Sequence, residues 1–231
     1  MSGFVWALAG FVLLHVGISA TGARGAIVGR IGLGAYRIAF SLASLALLVW
    51  LIHGFGAMRG DPFDPLNERI WTPPAWLHWP AYALVLIGFL LAAGGLVTRN
   101  PTLAGMEGAL AREDVARGML RVTRHPFLWG VAFWAAGHVL VNGERFAPML
   151  FGAFGLMALF GARSIDRKGR ARDAEAWARY EAATANLPFA AIAQGRNRLV
   201  VSELALGVGV GLVAFVLVGL FHRQLFGAAA F

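Results

Sequence analysis

The sequence predicts an all-α fold, a polytopic transmembrane helical bundle of about six spans with its N- and C-termini on the periplasmic side. Three observations predict it. Hydrophobic residues fill 58% of the 231 positions and charged residues only 14%, where a soluble domain carries about 25% charge. The apolar residues are gathered into runs of the length that crosses hydrocarbon. The basic residues are gathered between those runs, on alternate sides.

The first run, Gly3 to Ala20, has no basic residue ahead of it, unlike a cleaved secretory signal, and reads as a retained span. The second and third runs are Tyr36 to Ala57 and Trp76 to Val97. Between them Pro62, Pro65, Pro73 and Pro74, with Trp71, Trp76 and Trp79, predict a stiff outer loop with an interfacial aromatic belt that caps the bundle. The fourth run, Pro126 to Val141, opens on a proline suited to a first helical turn. The fifth, Phe146 to Ala162, is separated from it only by Asn142, Gly143, Glu144 and Arg145, a polar turn that predicts an antiparallel helical hairpin. The sixth is Leu199 to Phe221. Ahead of it, Asp173 to Ala185 predicts a helix with Trp177 and Tyr180 one turn apart, lying along the membrane surface. Gly3, Gly10 and Gly17, Gly130 and Gly137, and the Gly207, Gly209, Gly211 run predict close helix packing, since no strand precedes any of them as a phosphate loop requires. The whole chain, 1–231, is one domain in this reading.

Of the 20 Lys and Arg residues, all but Arg59, Arg69, Arg145 and Arg223 fall in the loops between spans one and two, three and four, and five and six, counting Arg37 at the boundary of span two. That asymmetry places those loops in the cytoplasm. The net charge of +8 does not indicate nucleic acid, because no polar surface interleaves basic residues with stacking aromatics. With no cysteine in the chain, disulfides, thiolate metal sites and cysteine nucleophiles are excluded. No paired carboxylates or nucleophile motif indicate hydrolysis, and acids such as Asp166 sit beside arginines such as Arg167.

The chemistry-bearing residues are histidines. His15 falls inside span one and His138 inside span four, where an ionisable group is costly and therefore a functional candidate, although a neutral histidine bonded to a neighbouring helix satisfies the same observation. His53, His78 and His222 fall near the outer ends of their spans, where interfacial water satisfies an imidazole. Two imidazoles on separate helices with aromatic walls are what a haem b iron requires, so His15 and His138 are candidate iron ligands, walled by Phe11, Phe133 and Trp134. Ser19 and Asn142, each four residues on, stand where they can orient the two rings. The depths of the two histidines differ by roughly 10 Å at 1.5 Å per residue, which counts against a shared iron. At the inner mouth of span four, Arg121, Arg124 and His125 form a basic patch for an anion, whether a haem propionate, a cofactor carboxylate or a lipid phosphate.

Thr98 to Gly105 (TRNPTLAG), Ala116 to Gly130 (ARGMLRVTRHPFLWG), Arg163 to Lys168 (RSIDRK) and Asn186 to Ile192 (NLPFAAI), with His15 and Tyr36 to Ser44, resemble the NnrU family over nearly the whole chain. The resemblance implies a bacterial inner-membrane protein linked to nitrite and nitric oxide metabolism, in a family related to plastid 15-cis-zeta-carotene isomerase. It implies haem b held by His15 and His138, with Ala135 where the isomerase has a cysteine proposed as an alternative ligand. A lesser resemblance, of Arg124, His125 and Pro126 with Trp177, Tyr180 and Leu187 to Phe189, is to isoprenylcysteine-type membrane methyltransferases, which implies S-adenosylmethionine bound near Arg121, Arg124 and His125, with Glu175, Tyr180 and Glu181 as partial counterparts. Beside the lipid bilayer, the expected partners are a hydrophobic small-molecule substrate or, if the protein is a non-catalytic assembly factor, a membrane reductase.

Overall fold

The apolar runs fold as helices throughout the computed structural model, which describes residues 3–19, 21–112 and 114–228. Ala20, at which the sequence ends the first span, lies outside the described residues. Helix α1 (Gly3–Val12) continues as a π-helix over Leu13–Ser19. There follow α2 (Ala23–Gly60), α3 (His78–Val97), α4 (Pro126–Val141), α5 (Phe146–Arg172), α6 (Ala174–Ala183), the short α7 (Ala190–Ala193) and α8 (Val201–Phe226). The segments Ala23–Gly60, Ala75–Val97, Phe146–Arg172 and Val201–Phe226 are long and apolar enough to cross a membrane, and the shorter apolar helices Gly3–Ser19 and Pro126–Val141 complete the six expected runs. Among the described residues the strand-like pairing is a single bridge, Arg69 to Glu144.

Two boundaries differ from the sequence reading. Residues 23–35, read as a loop, are helical from Ala23 onward; the chain breaks direction only at Gly32, whose φ of 80° and ψ of 159° suit a residue without a Cβ. Helix α5 runs on past Ala162 to Arg172, because Ser164, Asp166 and Gly169 turn one face of that polar stretch into a protein core.

The helices pack as antiparallel neighbours. Contacts are richest between α3 and α4, then between α3 and α8, α4 and α5, and α1 and α2. Close approach depends on the glycines: a Cβ on Gly130 would lie 2.6 Å from the Gly88 carbonyl oxygen, and one on Gly211 would lie 2.9 Å from Leu90 Cα. Gly209 faces open space, so the packing reading of that run holds at Gly207 and Gly211 only. One core of Phe4, Ala7, Leu8, Leu51, Met58, Ala135, Phe146, Ala147 and Phe151 joins α1, α2, α4 and α5.

At the end away from the basic loops, the proline-rich segment is strapped over the α4–α5 turn, with the Ile70 amide donating to Gly143 O at 2.8 Å and the Arg145 amide to Glu68 O at 3.0 Å. At the basic end, α6 forms as expected, but its aromatic face is not laid on lipid. Trp177 and Tyr180 are fully buried with Leu110, Leu120 and Ala176, and Trp177 covers Gly169 of α5, where any side chain would collide with the indole.

Candidate functional site

Five of the six histidines share one local arrangement. The Nδ1 of His15, His53, His78, His138 and His222 bonds to the carbonyl of Phe11, Val49, Ala75, Trp134 and Ala228 respectively, at 2.6–3.0 Å. A carbonyl only accepts, so Nδ1 carries the proton and Nε2 keeps the lone pair that binds metals. For His15 and His138 the partner is the carbonyl one turn back, which fixes the ring against its own helix. Neither residue expected to orient these rings does so: Asn142 donates to the main-chain oxygen of His138, and the Ser19 carbonyl accepts from Lys168.

His15 lies in the π-helical turn, stacked on Phe11 at 4.2 Å, with Phe40 of α2 at its edge. His138 lies between Trp134 and Phe151, with ring centres 4.8 and 4.6 Å away. The expected walls Phe11 and Trp134 are therefore in place, each on a different histidine, while Phe133 packs beside Leu91, Met119 and Val122 instead.

Each imidazole leaves Nε2 for a metal, and the two rings stand at different depths. Helix α5 serves as a ruler: His138 lies level with Phe151, whereas Phe11 stacks on Phe154 at 5.4 Å and His15 is a further turn inward, near the level of Ala158. The separation along the bundle is roughly 10 Å at 1.5 Å per residue, which agrees with the mismatch visible in the sequence. Helices α1 and α4 make no extensive contact. Between the two histidines lie Phe11, Phe154 and Trp134, packed ring to ring at 5.4 and 6.2 Å. What the structure brings to His138 is His222 of α8, ring centre to ring centre 6.4 Å with planes 23° apart.

The basic patch closes on itself. Arg124 grips Asp166 through Nε and Nη2, both at 2.9 Å, and Nη2 also reaches Glu181 at 3.0 Å. His125, with a fully buried side chain, bonds through Nε2 to Asp166 Oδ1 at 2.7 Å. The carboxylate sets the tautomer opposite to that of the other five histidines. Burial holds the His125 pKa below its ordinary value, against the raising influence of Asp166. Burial likewise raises the Tyr180 phenol, which donates to the Arg124 carbonyl at 3.2 Å. Arg121 is engaged by both Glu203 oxygens, at 2.7 and 3.0 Å, and by Asn197 at 2.8 Å, and its pKa is raised by the Glu203 hydrogen bond. All three basic groups expected to receive an anion or S-adenosylmethionine are thus bound within the protein. Their common work is to tie the start of α4 to α5, α6 and α8.

Asp166 is the functional-looking residue that sequence reasoning misplaced, since it pairs with Arg124 and His125 rather than with its neighbour Arg167. The signal was present: folding the chain back at the Asn142–Arg145 turn brings the Arg163–Asp166 turn of α5 opposite Arg124 and His125. Two surface hollows of about 380 and 540 Å³ also lie at the basic end, one bordered by Glu107, Arg172 and Arg179, the other by Thr21, Arg167 and Lys168.

Comparison with known proteins fits this architecture. The chain is 38% identical over 84 residues to the chloroplastic 15-cis-zeta-carotene isomerases of Zea mays and of Arabidopsis thaliana, a stretch covering 36% of this chain and 22% of each relative. The match therefore spans about a fifth of the length of those curated relatives. No solved structure matches. The family model described as NnrU protein matches residues 3–230, so this multi-pass helical membrane protein belongs to the NnrU family.

Proposed function

We propose that this NnrU protein is an isomerase-type protein of the bacterial inner membrane that acts on a long apolar substrate reached from the bilayer, with haem b as its prosthetic group. The observation that carries the reading is the stretch of 84 residues 38% identical to the zeta-carotene isomerases. The bundle is compatible with such work: its histidines point free Nε2 lone pairs from the ends of an aromatic file, Phe11, Phe154 and Trp134, that excludes water and suits a conjugated hydrocarbon. When bound, a haem iron supplies a redox-active Lewis-acid centre. Of this chain's residues, His138 is the one we assign to hold it, its ring fixed by the Trp134 carbonyl and by packing on Phe151. The 16-to-4 distribution of basic residues supports an inner-membrane orientation with both termini outward.

The test is chromatography of 15-cis-zeta-carotene incubated with haem-loaded protein in liposomes. Conversion above the protein-free rate, lost on His138→Ala, is expected. A haem-loaded protein without turnover on this or other cis-polyenes overturns the isomerase reading. Family membership also favours a link to nitrite and nitric oxide metabolism, which predicts slower growth of a deletion strain on nitrite under oxygen limitation.

A further inference from the structure

We propose that the hollow between the α1–α2 link and the inner end of α5 is a binding site for an anionic phospholipid, its headgroup held by Arg24, Arg167 and Lys168. The hollow, of about 540 Å³, is bordered by Thr21, Gly22, Arg167, Lys168 and Ala171. Arg24 lies near enough for its charge to act on Lys168, as does the charge of Arg167. Three cations therefore converge on one corner of the basic end.

Elsewhere at this end cations are matched by acids: Arg37 meets Glu107, Arg117 Asp114, Arg121 Glu203, Arg124 Asp166 and Arg170 Glu181. At this corner the acid is withdrawn. Asp166, the neighbour of Arg167 in the chain, gives both its oxygens to Arg124 and His125 instead. Among the described residues neither Arg24 nor Lys168 pairs with a carboxylate. Lys168 donates to the Ser19 carbonyl, and Arg24 stands over the Tyr36 ring, 5.6 Å from its centre. A carbonyl and a ring face carry no full charge, so the corner keeps a net positive field.

The Tyr36 contact also shows how the corner is built. Arg24 and Tyr36 are twelve residues apart, roughly 18 Å along a straight helix. The break at Gly32 turns residues 23–31 back on the chain and sets Arg24 beside the end of α5.

The adjoining surface selects the kind of anion. Leu156, Phe160, Arg163 and Arg167 follow one another at helical spacing along one face of α5, and all four are exposed. The stripe passes from apolar to cationic as it nears the hollow. The π-helical turn that packs on α5 adds Leu13 and Val16, also exposed. A soluble phosphate gains nothing from this apolar surface, whereas a phospholipid lays its acyl chains along it with the phosphate among the cations.

The experiment is native mass spectrometry of the full-length protein, delipidated in detergent and titrated with phosphatidylglycerol or phosphatidylcholine of equal chain length. The wild type is expected to retain phosphatidylglycerol in preference. Arg24→Gln combined with Lys168→Gln is expected to weaken that binding about fivefold for each cation, roughly thirtyfold in all. Arg198→Gln, a charge loss outside the corner, should leave it unchanged, as should the charge-keeping Lys168→Arg. Glycerol phosphate, a headgroup without chains, should not displace the lipid. A preference undiminished in the double variant overturns the site and leaves a general attraction to the basic end. Equal retention of the two lipids by the wild type overturns it without any variant, so a double variant that fails to fold does not shelter the proposal. Displacement by glycerol phosphate overturns the lipid assignment in favour of a soluble anion.

Discussion

Asp166 holds two donors at once, receiving two nitrogens of the Arg124 guanidinium and the imidazole N–H of His125 in a site where all three side chains are buried. Removing one member of a buried ion pair leaves the other charged and unsolvated, which costs about 3–5 kcal/mol. Asp166→Asn is therefore expected to lower the thermal unfolding midpoint in detergent far more than Asp114→Asn, whose carboxylate is half exposed. The same site makes stability depend on pH. Because burial holds His125 below its ordinary value of about 6.5, the unfolded chain binds more protons than the native protein just below that pH. The His125 contribution is complete above pH 6.5 and is lost as pH falls from there toward the folded value. Denaturation midpoints from pH 8 to 5 should fall on the acid side, and His125→Gln should flatten that fall. None of this was visible residue by residue. Arg124 and His125 were legible as important, yet as a basic patch awaiting an anion, because the carboxylate that meets them stands 41 residues after His125 and is returned only by the α4–α5 hairpin.

Helices α3 and α8 meet along glycines, and the seam discriminates between neighbouring positions. A methyl group on Gly211 would sit 2.9 Å from Leu90 Cα and 3.0 Å from the Phe89 carbonyl oxygen, whereas one on Gly209 would meet nothing within 4 Å. Gly211→Ala is expected to destabilise by about 1–3 kcal/mol through overpacking. Gly209→Ala should be neutral or gain up to about 1 kcal/mol of helix propensity. Unfolding of the two variants side by side, in one detergent, checks the pair. Spacing alone showed that this run packs a helix, but not which of the glycines face α3. The elements themselves were largely legible, since an apolar run bounded by polar turns has few alternatives inside a bilayer. What escaped was helix made of polar residues. The Arg163–Arg172 extension of α5 reads as loop by composition, and is helical because Trp177 and Leu120 cover its inner face. Residues 23–35 escaped for the opposite reason, their glycines suggesting breaks where only Gly32 makes one.

At the scale of the whole molecule the bundle has a dry, aromatic half carrying His15 and His138 and a basic half knotted by Arg121, Arg124 and Asp166, with α5 running through both. The division was legible in the sequence as charge asymmetry, whereas the nearness of His222 to His138 was not, since bringing two distant helices together requires the tertiary order in which α3 packs against both α4 and α8. One dimension of this bundle acts on its surroundings. Helix α4 has only 16 residues, hence a length of about 24 Å, against a hydrocarbon core of about 30 Å. Helix α8, with 26 residues, exceeds that core. The short α4 therefore meets the bilayer with a local mismatch, accommodated by lipid thinning beside it or by the way α3 and α5 cover its ends. Stability in reconstituted vesicles should then peak in short-chain bilayers and fall as acyl chains lengthen, so that membrane thickness itself becomes a variable to which the His138 end of the protein responds.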